Sequence, residues 1–272
     1  MNTNELMDIG LALVEFDEVP EDSAIYVPGD EIERVLFGLD IGAGELLMAQ
    51  EMDYDAVIAH HPVGTTYQAW RVFERHVDLL VGAGVPEEAA RAAVAPKLEQ
   101  LRLRGMVANY EQVPQAARLL EMPFLNIHCP LDELGRQVMQ RTVNDVLEKT
   151  PLATVADVVE ALAALPAAQR AQTNVEALLG DPAAPAGKVV VAHGALTNGG
   201  YEIARAYFAH GVDTVVYIHI AASDLKRLRE HGDGQLIVTG HLMGDAVGIA
   251  PYIKALRERG LEVDVLSEVL SQ

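Results

Sequence analysis

The sequence predicts an α/β protein built as two α/β domains with mostly parallel sheets, plus a helical insertion. Three observations predict it. Short apolar runs such as VLFGLD, DAVIAHH, KVVVAHG, DTVVYIHI and GQLIVTGH alternate with stretches of helical periodicity, the order that parallel sheets with crossover helices impose. Residues 67–121 lose the strand pattern and keep only a helical one, rich in Ala, Leu, Glu and Arg. The most linker-like composition, DPAAPAG, separates an earlier group of strands from a later one.

Taken in order, residues 6–16 form an amphipathic helix and residues 34–40 an apolar strand. A short helix ending near Gln50 to Met52 leads into the buried strand DAVIAHHP. Strand, helix and strand at this spacing make a βαβ unit, which favours a right-handed crossover and parallel pairing. After the helical block, MPFLNIH is a short strand and residues 131–149 a helix. Residues 154–186 read as Ala-rich helix running out into the linker. Beyond it come three strands separated by helices near residues 201–210 and 222–231, then a helix over 246–259 and a fourth strand, EVDVLS. The expected division is residues 1–66 with 122–150 as the first α/β part, 67–121 as the helical insertion, 151–187 as helix and linker, and 188–272 as the second α/β part.

With 272 residues, half of them hydrophobic, the chain can bury the cores of two domains. A formal charge of −20 repels a phosphate backbone, and no basic patch interleaved with aromatics is present, so nucleic acid is not an expected partner. No run approaches the roughly 20 apolar residues of a membrane helix, and MNTNELMDIG lacks the features of a signal peptide; a cytoplasmic protein without membrane contact is expected. The single cysteine, Cys129, excludes an internal disulfide and a zinc site built from several thiolates. Cys129 itself reads as a small buried hydrophobe. Any metal must be held by histidine and carboxylate.

His60, His61, His128, His193, His219 and His241 all fall at or just past the end of an expected strand. Ligands of open α/β sheets bind outside the carboxyl ends of strands, so these positions can converge on one crevice. Neighbours within a strand point to opposite faces, but here the strand is ending. Pro62 keeps His61 extended and Gly64 lets the chain turn, so both rings of the pair can aim at the mouth of the sheet. In NIHCPLDE, His128 and Asp132 are four apart; in TGHLMGDAVG, His241 and Asp245 have the same spacing. Residues four apart share a helical face, with about 5–6 Å between Cβ atoms, which suits two ligands of a common ion. Imidazole and carboxylate without thiolate suit zinc, manganese, iron or a similar divalent ion. His76, His210 and His231 lie away from strand ends and read as surface residues. The arginines of the helical block, Arg71, Arg75, Arg91, Arg102 and Arg104, read as packing or a subunit interface.

IAHHPVG, HCPLD and GHLMGD together resemble the motifs of the Ngg-interacting-factor-three-like (Nif3-like) family, also known as type 2 GTP cyclohydrolase I. VLFGLDIGAGELLMAQEMDYDAVIAHHP matches that family's first βαβ unit nearly end to end, and residues 188–265 match its second half more loosely. The resemblance implies two α/β domains around a dinuclear metal cavity, with two divalent ions as cofactors, and a homo-oligomer, usually a ring-like hexamer. It implies His60, His61, Asp132, His241 and Asp245 as ligands, one carboxylate bridging the ions, and His128 as a pocket residue outside the ligand set. Asp245 stands where the family usually has Glu, so bridging by this shorter side chain requires a closer approach of its helix. The helical block is longer than in typical members.

The expected function is a metal-dependent hydrolase acting on a small-molecule or nucleotide-like substrate through a metal-bound water, with His128 or His219 moving the proton. The alternative is a metal-binding regulatory or scaffold protein. HGALTNGG has glycines without the P-loop spacing, so a triphosphate would depend on the metals and on cations such as Lys188, Arg205 and Lys226.

Overall fold

The computed structural model describes residues 1–270. Helix α1 (Thr3–Ala12) opens the chain behind a reciprocal cap. The Asn2 side chain accepts from the Glu5 N–H at 3.0 Å, and the Glu5 carboxylate accepts from the Asn2 N–H at 2.7 Å. There follow β1 (Ala24–Val27), β2 (Arg34–Gly38), α2 (Ala43–Glu51) and β3 (Ala56–Ala59). The helical block consists of a 3-10 turn (Ala69–Glu74), α3 (Arg75–Gly82), α4 (Glu87–Gly105) and α5 (Gln112–Leu119). Strand β4 (Phe124–Asn126) then feeds the long helix α6 (Cys129–Lys149), followed by α7 (Val155–Ala163), α8 (Pro166–Arg170) and β5 (Glu176–Leu179). The remainder alternates strictly: β6 (Val189–Val191), α9 (Gly200–Ala209), β7 (Thr214–Tyr217), α10 (Ala222–His231), β8 (Gln235–Val238), α11 (His241–Glu258) and β9 (Glu262–Val265).

Among the described residues the strands form two sheets, ordered β1-β4-β3-β2-β9 and β5-β8-β7-β6. All pairings are parallel except the antiparallel edges β1–β4 and β5–β8. The mostly parallel α/β architecture read from the sequence is therefore present. Three details differ from expectation. The strand EVDVLS does not extend the second sheet but pairs with β2 in the first. The Ala-rich stretch 154–186 is not continuous helix; it breaks after α8 and supplies β5, whose sequence EALL is drawn into extended form by the free edge of β8. Strand β1 was not anticipated because its four residues carry no alternation and are made a strand by pairing with β4.

The main core lies between the sheets. Phe37 and Ile58 from the first and Val216 and Ile237 from the second close on Leu131, Met139, Met243 and Ile253 of α6 and α11. The outer face of the first sheet packs under α2 and α5, and that of the second under α3, α4, α9 and α10. The helical block thus divides between the two sheets. His76 of α3, expected at the surface, is fully buried there and bonds through Nε2 to the Thr197 carbonyl at 2.9 Å.

Helices α6 and α11 cross closely because glycines line the contact. An ideal Cβ on Gly248 would lie 1.9 Å from the Leu131 carbonyl oxygen, and one on Gly135 would lie 3.1 Å from the Gly244 carbonyl. This crossing sets the spacing between the first turns of the two helices. No helix among the described residues is long and apolar enough to cross a membrane.

Candidate metal centre

Strand β3 continues its hydrogen bonding past its last residue: the N–H groups of His60 and His61 donate to the carbonyls of Gly38 and Leu39, each at 2.9 Å. The chain bends at both residues, and their rings lie only 5.2 Å apart between centroids. His60 Nδ1 donates to the Ile127 carbonyl at 3.0 Å, which leaves Nε2 as the free lone pair. His61 Nδ1 pairs with Asp40 at 2.8 Å and likewise turns Nε2 inward.

From β4 the chain turns into α6 through His128, whose N–H donates to Ser23 Oγ at 2.9 Å and whose Nδ1 pairs with the buried Asp22 at 2.7 Å. One turn later Asp132 projects from the start of α6. Its Oδ1 lies 3.2 Å from His60 Nε2 and 3.4 Å from His193 Nε2, and its Oδ2 3.5 Å from His128 Nε2. On the other side Gly240, at φ +94°, swings the chain from β8 into α11. His241 and Asp245 follow one turn apart. Asp245 Oδ2 lies 3.1 Å from His241 Nε2, 3.4 Å from His61 Nε2 and 4.0 Å from His60 Nε2.

His60 Nε2, His61 Nε2, His193 Nε2, Asp132 Oδ1 and Asp245 Oδ2 are all shielded from solvent and have no hydrogen-bond partner. Buried polar groups normally find partners, so five orphans facing one another mark a place where something else belongs. A divalent cation satisfies lone pairs and carboxylate oxygens together. Ligand atoms of three groups, His60–Asp132–Asp245, His61–His241–Asp245 and His60–His61–His128, each lie within 4.8 Å of one another. The rings of His60, His61 and His128 are backed on their far side by the Ile127 carbonyl, Asp40 and Asp22, the support that metal-bound histidines usually have.

The electrostatics have the same origin. Burial would lower the His61 pKa, but Asp245 and then Asp40 raise it; at His241 the neighbouring Asp245 carboxylate is the leading cause of a rise. Burial also opposes charge on His128, yet Asp132 and Asp22 hold its pKa up at about 9. Despite burial, the carboxyls of Asp132 and Asp245 are held below the usual range, by His128 and His193 for the first and by His241 and His61 for the second. His219 goes the other way, to about 4, through burial and then the neighbouring His241.

The structure brings together His60, His61, Asp132, His241 and Asp245, with His128 beside them. His219 sits at the rim, its ring 4.9 Å from that of His241 and its Nδ1 accepting from the Asn198 amide at 2.8 Å. The Asn198 amide is fixed in that sense because its Oδ1 accepts from the Gly200 N–H at 3.0 Å. Three contributors fall outside the candidate set. His193 faces Asp132, and its place just past a strand is a signal that could have found it. Asp40, one residue into the loop after GL, shares that signal weakly. Asp22 carries none, since its role depends on the β1 edge. Cys129 is buried, its thiol pushed well above the ordinary range, with Sγ 3.4 Å from the Gly194 carbonyl. The cations expected to assist an anion are engaged elsewhere: Lys188 donates to the Ala83 carbonyl at 2.6 Å, Arg205 pairs with Asp233 at 2.8 Å and Lys226 lies 3.8 Å from Glu230.

Fold and site together define a class: a double-sheet α/β protein with a histidine–aspartate cluster suited to metal at the carboxyl ends of its strands. No family model and no curated protein sequence matches the chain. Solved structures do. A NIF3 superfamily protein from Sphaerobacter thermophilus is 49% identical, covers 98% of each chain and superposes with a TM-score of 0.96. Reduced HcgD from Methanocaldococcus jannaschii is 14% identical over 98% of each chain, with a TM-score of 0.60. A Bacillus cereus protein related to NIF3 is 10% identical, covers 98% of this chain and 97% of its own, and has a TM-score of 0.54. The last two show likeness of fold alone. The chain belongs to the NIF3 superfamily.

Proposed function

We propose that the protein holds two divalent metal ions and acts as a hydrolase on a small-molecule or nucleotide-like substrate. One observation carries the reading: the Asp245 carboxylate is common to two of the three three-residue groups, His60–Asp132–Asp245 and His61–His241–Asp245, and is the one carboxylate they share. In each group at least one imidazole and one carboxylate converge, a donor set that suits zinc, manganese or iron. Once bound, such ions supply Lewis acidity and lower the pKa of water.

The chain's own groups complete the arrangement. Asp22 orients His128, and His128 braces Asp132. The His219 proton sits on Nε2, because Nδ1 accepts from Asn198, so the ring can hold or deliver a proton on the open side of the cluster. That side is defined by exposure: the His241 side chain is 49% accessible and that of His61 20%, against 0% for His60. A closed structural site is sealed by protein ligands. The accessible edge favours chemistry over a purely regulatory or scaffold role.

Elemental analysis of protein purified without chelators tests the first half, with close to two equivalents of transition metal expected and most of it lost in His60→Ala and Asp132→Ala. Metal-free wild type would overturn the reading. A panel of phosphodiesters, nucleotides and cyclic amides, assayed with and without manganese, tests the second half. Absence of metal-dependent turnover on all of them would favour the scaffold role.

A further inference from the structure

A cleft of about 500 Å³ opens beside the cluster, between α4 and the loop after β6. Its lining adjoins the cluster along the chain on both walls: Pro62 follows His61 directly, and Leu196 and Thr197 precede Asn198, whose side chain bonds His219. Its size falls within the range of small-molecule sites. Its charge is unusual for this protein. Although the chain carries −20, no Asp or Glu lines the cleft, whereas Lys97 and Arg104 both do.

Lys97, Leu101 and Arg104 recur at helical spacing on one face of α4, which places the two cations about 10 Å apart along the axis, within joint reach of an elongated anion. Neither cation has an ion pair or hydrogen bond with any described residue. The other basic residues of α4 are engaged, Arg91 with Glu87 at 2.7 Å and Arg102 with Glu99 at 2.9 Å. The opposite part of the lining carries Trp70 and Thr66, whose hydroxyl oxygen is shielded from solvent and has no partner. A cationic wall, a flat apolar ring and an orphan hydroxyl are the groups that recognise a small molecule with an oxyanionic tail and a planar body.

We propose that this cleft is the substrate-recognition subsite: Lys97 and Arg104 bind the oxyanion group of a small molecule, Trp70 packs against its body, and its reacting end reaches the histidine–aspartate cluster. The last element rests on the hydrolase reading above; the binding subsite does not. The helical block then has a role in recognition, and the cations that perform it are two of its own rather than Lys188, Arg205 or Lys226.

Trp70 is the single tryptophan of the chain, so its emission reports on the cleft directly. Sodium tripolyphosphate and citrate, which do not absorb in that range, serve as probes, titrated at low ionic strength into full-length protein as isolated and after dialysis against chelator. Saturable change in Trp70 emission is expected in both preparations. Lys97→Ala and Arg104→Ala should each weaken binding about tenfold, the loss of one charge-assisted contact. The double variant should abolish it, and Lys226→Ala should leave it unchanged. Preference for tripolyphosphate identifies a phosphate group, and preference for citrate a carboxylate. No saturable change with either probe, or equal binding in the double variant, overturns the subsite. Arg104 is exposed and Lys97 half-buried, and unchanged thermal unfolding and metal content in the variants confirm that only the cleft was altered. Wild type that is metal-free as isolated and still binds the probes would remove the metal centre and leave the subsite standing; protein that is metal-loaded as isolated and binds neither would do the reverse.

Discussion

Gly248 of α11 and Leu131 of α6 touch so closely that a Cβ on the glycine would lie 1.9 Å from the Leu131 carbonyl oxygen. The residue after Leu131 is Asp132, and three residues before Gly248 stands Asp245. The helix crossing that this contact permits is what carries the two carboxylates to His60 Nε2, at 3.2 and 4.0 Å. Asp245 is one methylene shorter than the Glu that the Nif3-like motif leads one to expect.

Gly248→Ala is therefore expected to push the helices apart. Overpacking of this kind costs about 1–3 kcal/mol, and more where backbone must move. The melting temperature should fall by at least several degrees, at roughly 2–4 °C per kcal/mol for chains of about this size. Metal content should fall as well, because the carboxylates separate. Unchanged metal content with a lowered melting temperature would show that the crossing does not set the ligand spacing.

Asp245 belongs to two of the three-residue groups, and His241 to one. Asp245→Ala is expected to lose nearly all bound metal, whereas His241→Ala should retain about one equivalent. Equal losses in the two variants, measured by mass spectrometry under native conditions, would contradict a shared carboxylate. Chelator should also lower the melting temperature of wild type, since a ligand at about 100 times its Kd contributes about 3 kcal/mol of stability.

Asp22→Asn tests the support behind the site. Asp22 and His128 are both buried and paired at 2.7 Å, so removing the carboxylate leaves a buried imidazole without its counter-charge. Breaking a buried pair costs about 3–5 kcal/mol. Outer-sphere partners are also worth about 10–100-fold in metal affinity. A variant that melts like wild type and holds metal as tightly would show that Asp22 is incidental.

His76 gives a pH dependence separate from the cluster. Burial depresses its pKa to about 4, while an unfolded histidine titrates near 6.5. Between these values the unfolded chain binds the extra proton and the native state does not. Stability from this group is therefore complete above about pH 6.5 and is lost as pH falls toward 4, by about 3 kcal/mol in total. Denaturant unfolding of wild type and His76→Gln across this window should show a steeper loss in wild type, and parallel curves would refute the assignment.

Much of the candidate site was legible because its signals are local. His60 and His61 before Pro62, and two His-x-x-x-Asp spacings at helix starts, are properties of a few consecutive residues, and the ends of parallel strands are where such residues meet. His193 shared the strand-end position and was passed over, having no carboxylate four residues on. Asp22 and the β1 edge were illegible, because a four-residue strand is defined by the partner it finds. The same holds for β5, where an Ala-Leu-rich segment of helical propensity lies extended along β8. His76 was misread for a related reason: nothing in the helical pattern around it discloses that α3 faces the second sheet and not solvent.

The sequence by itself determined the α/β alternation, the helical block and the residue types at the strand ends, since periodicity and turn chemistry act over a few residues at a time. Tertiary structure decided which sheet each strand joins, that β9 returns to the first sheet, and that α6 and α11 cross at glycines. It also decided that Asp245 faces three histidines at once and that Lys97 and Arg104 line an acid-free cleft with no ion pair or hydrogen bond to any described residue. These are relations between residues tens to hundreds of positions apart, fixed by packing and burial, on which local sequence carries no information.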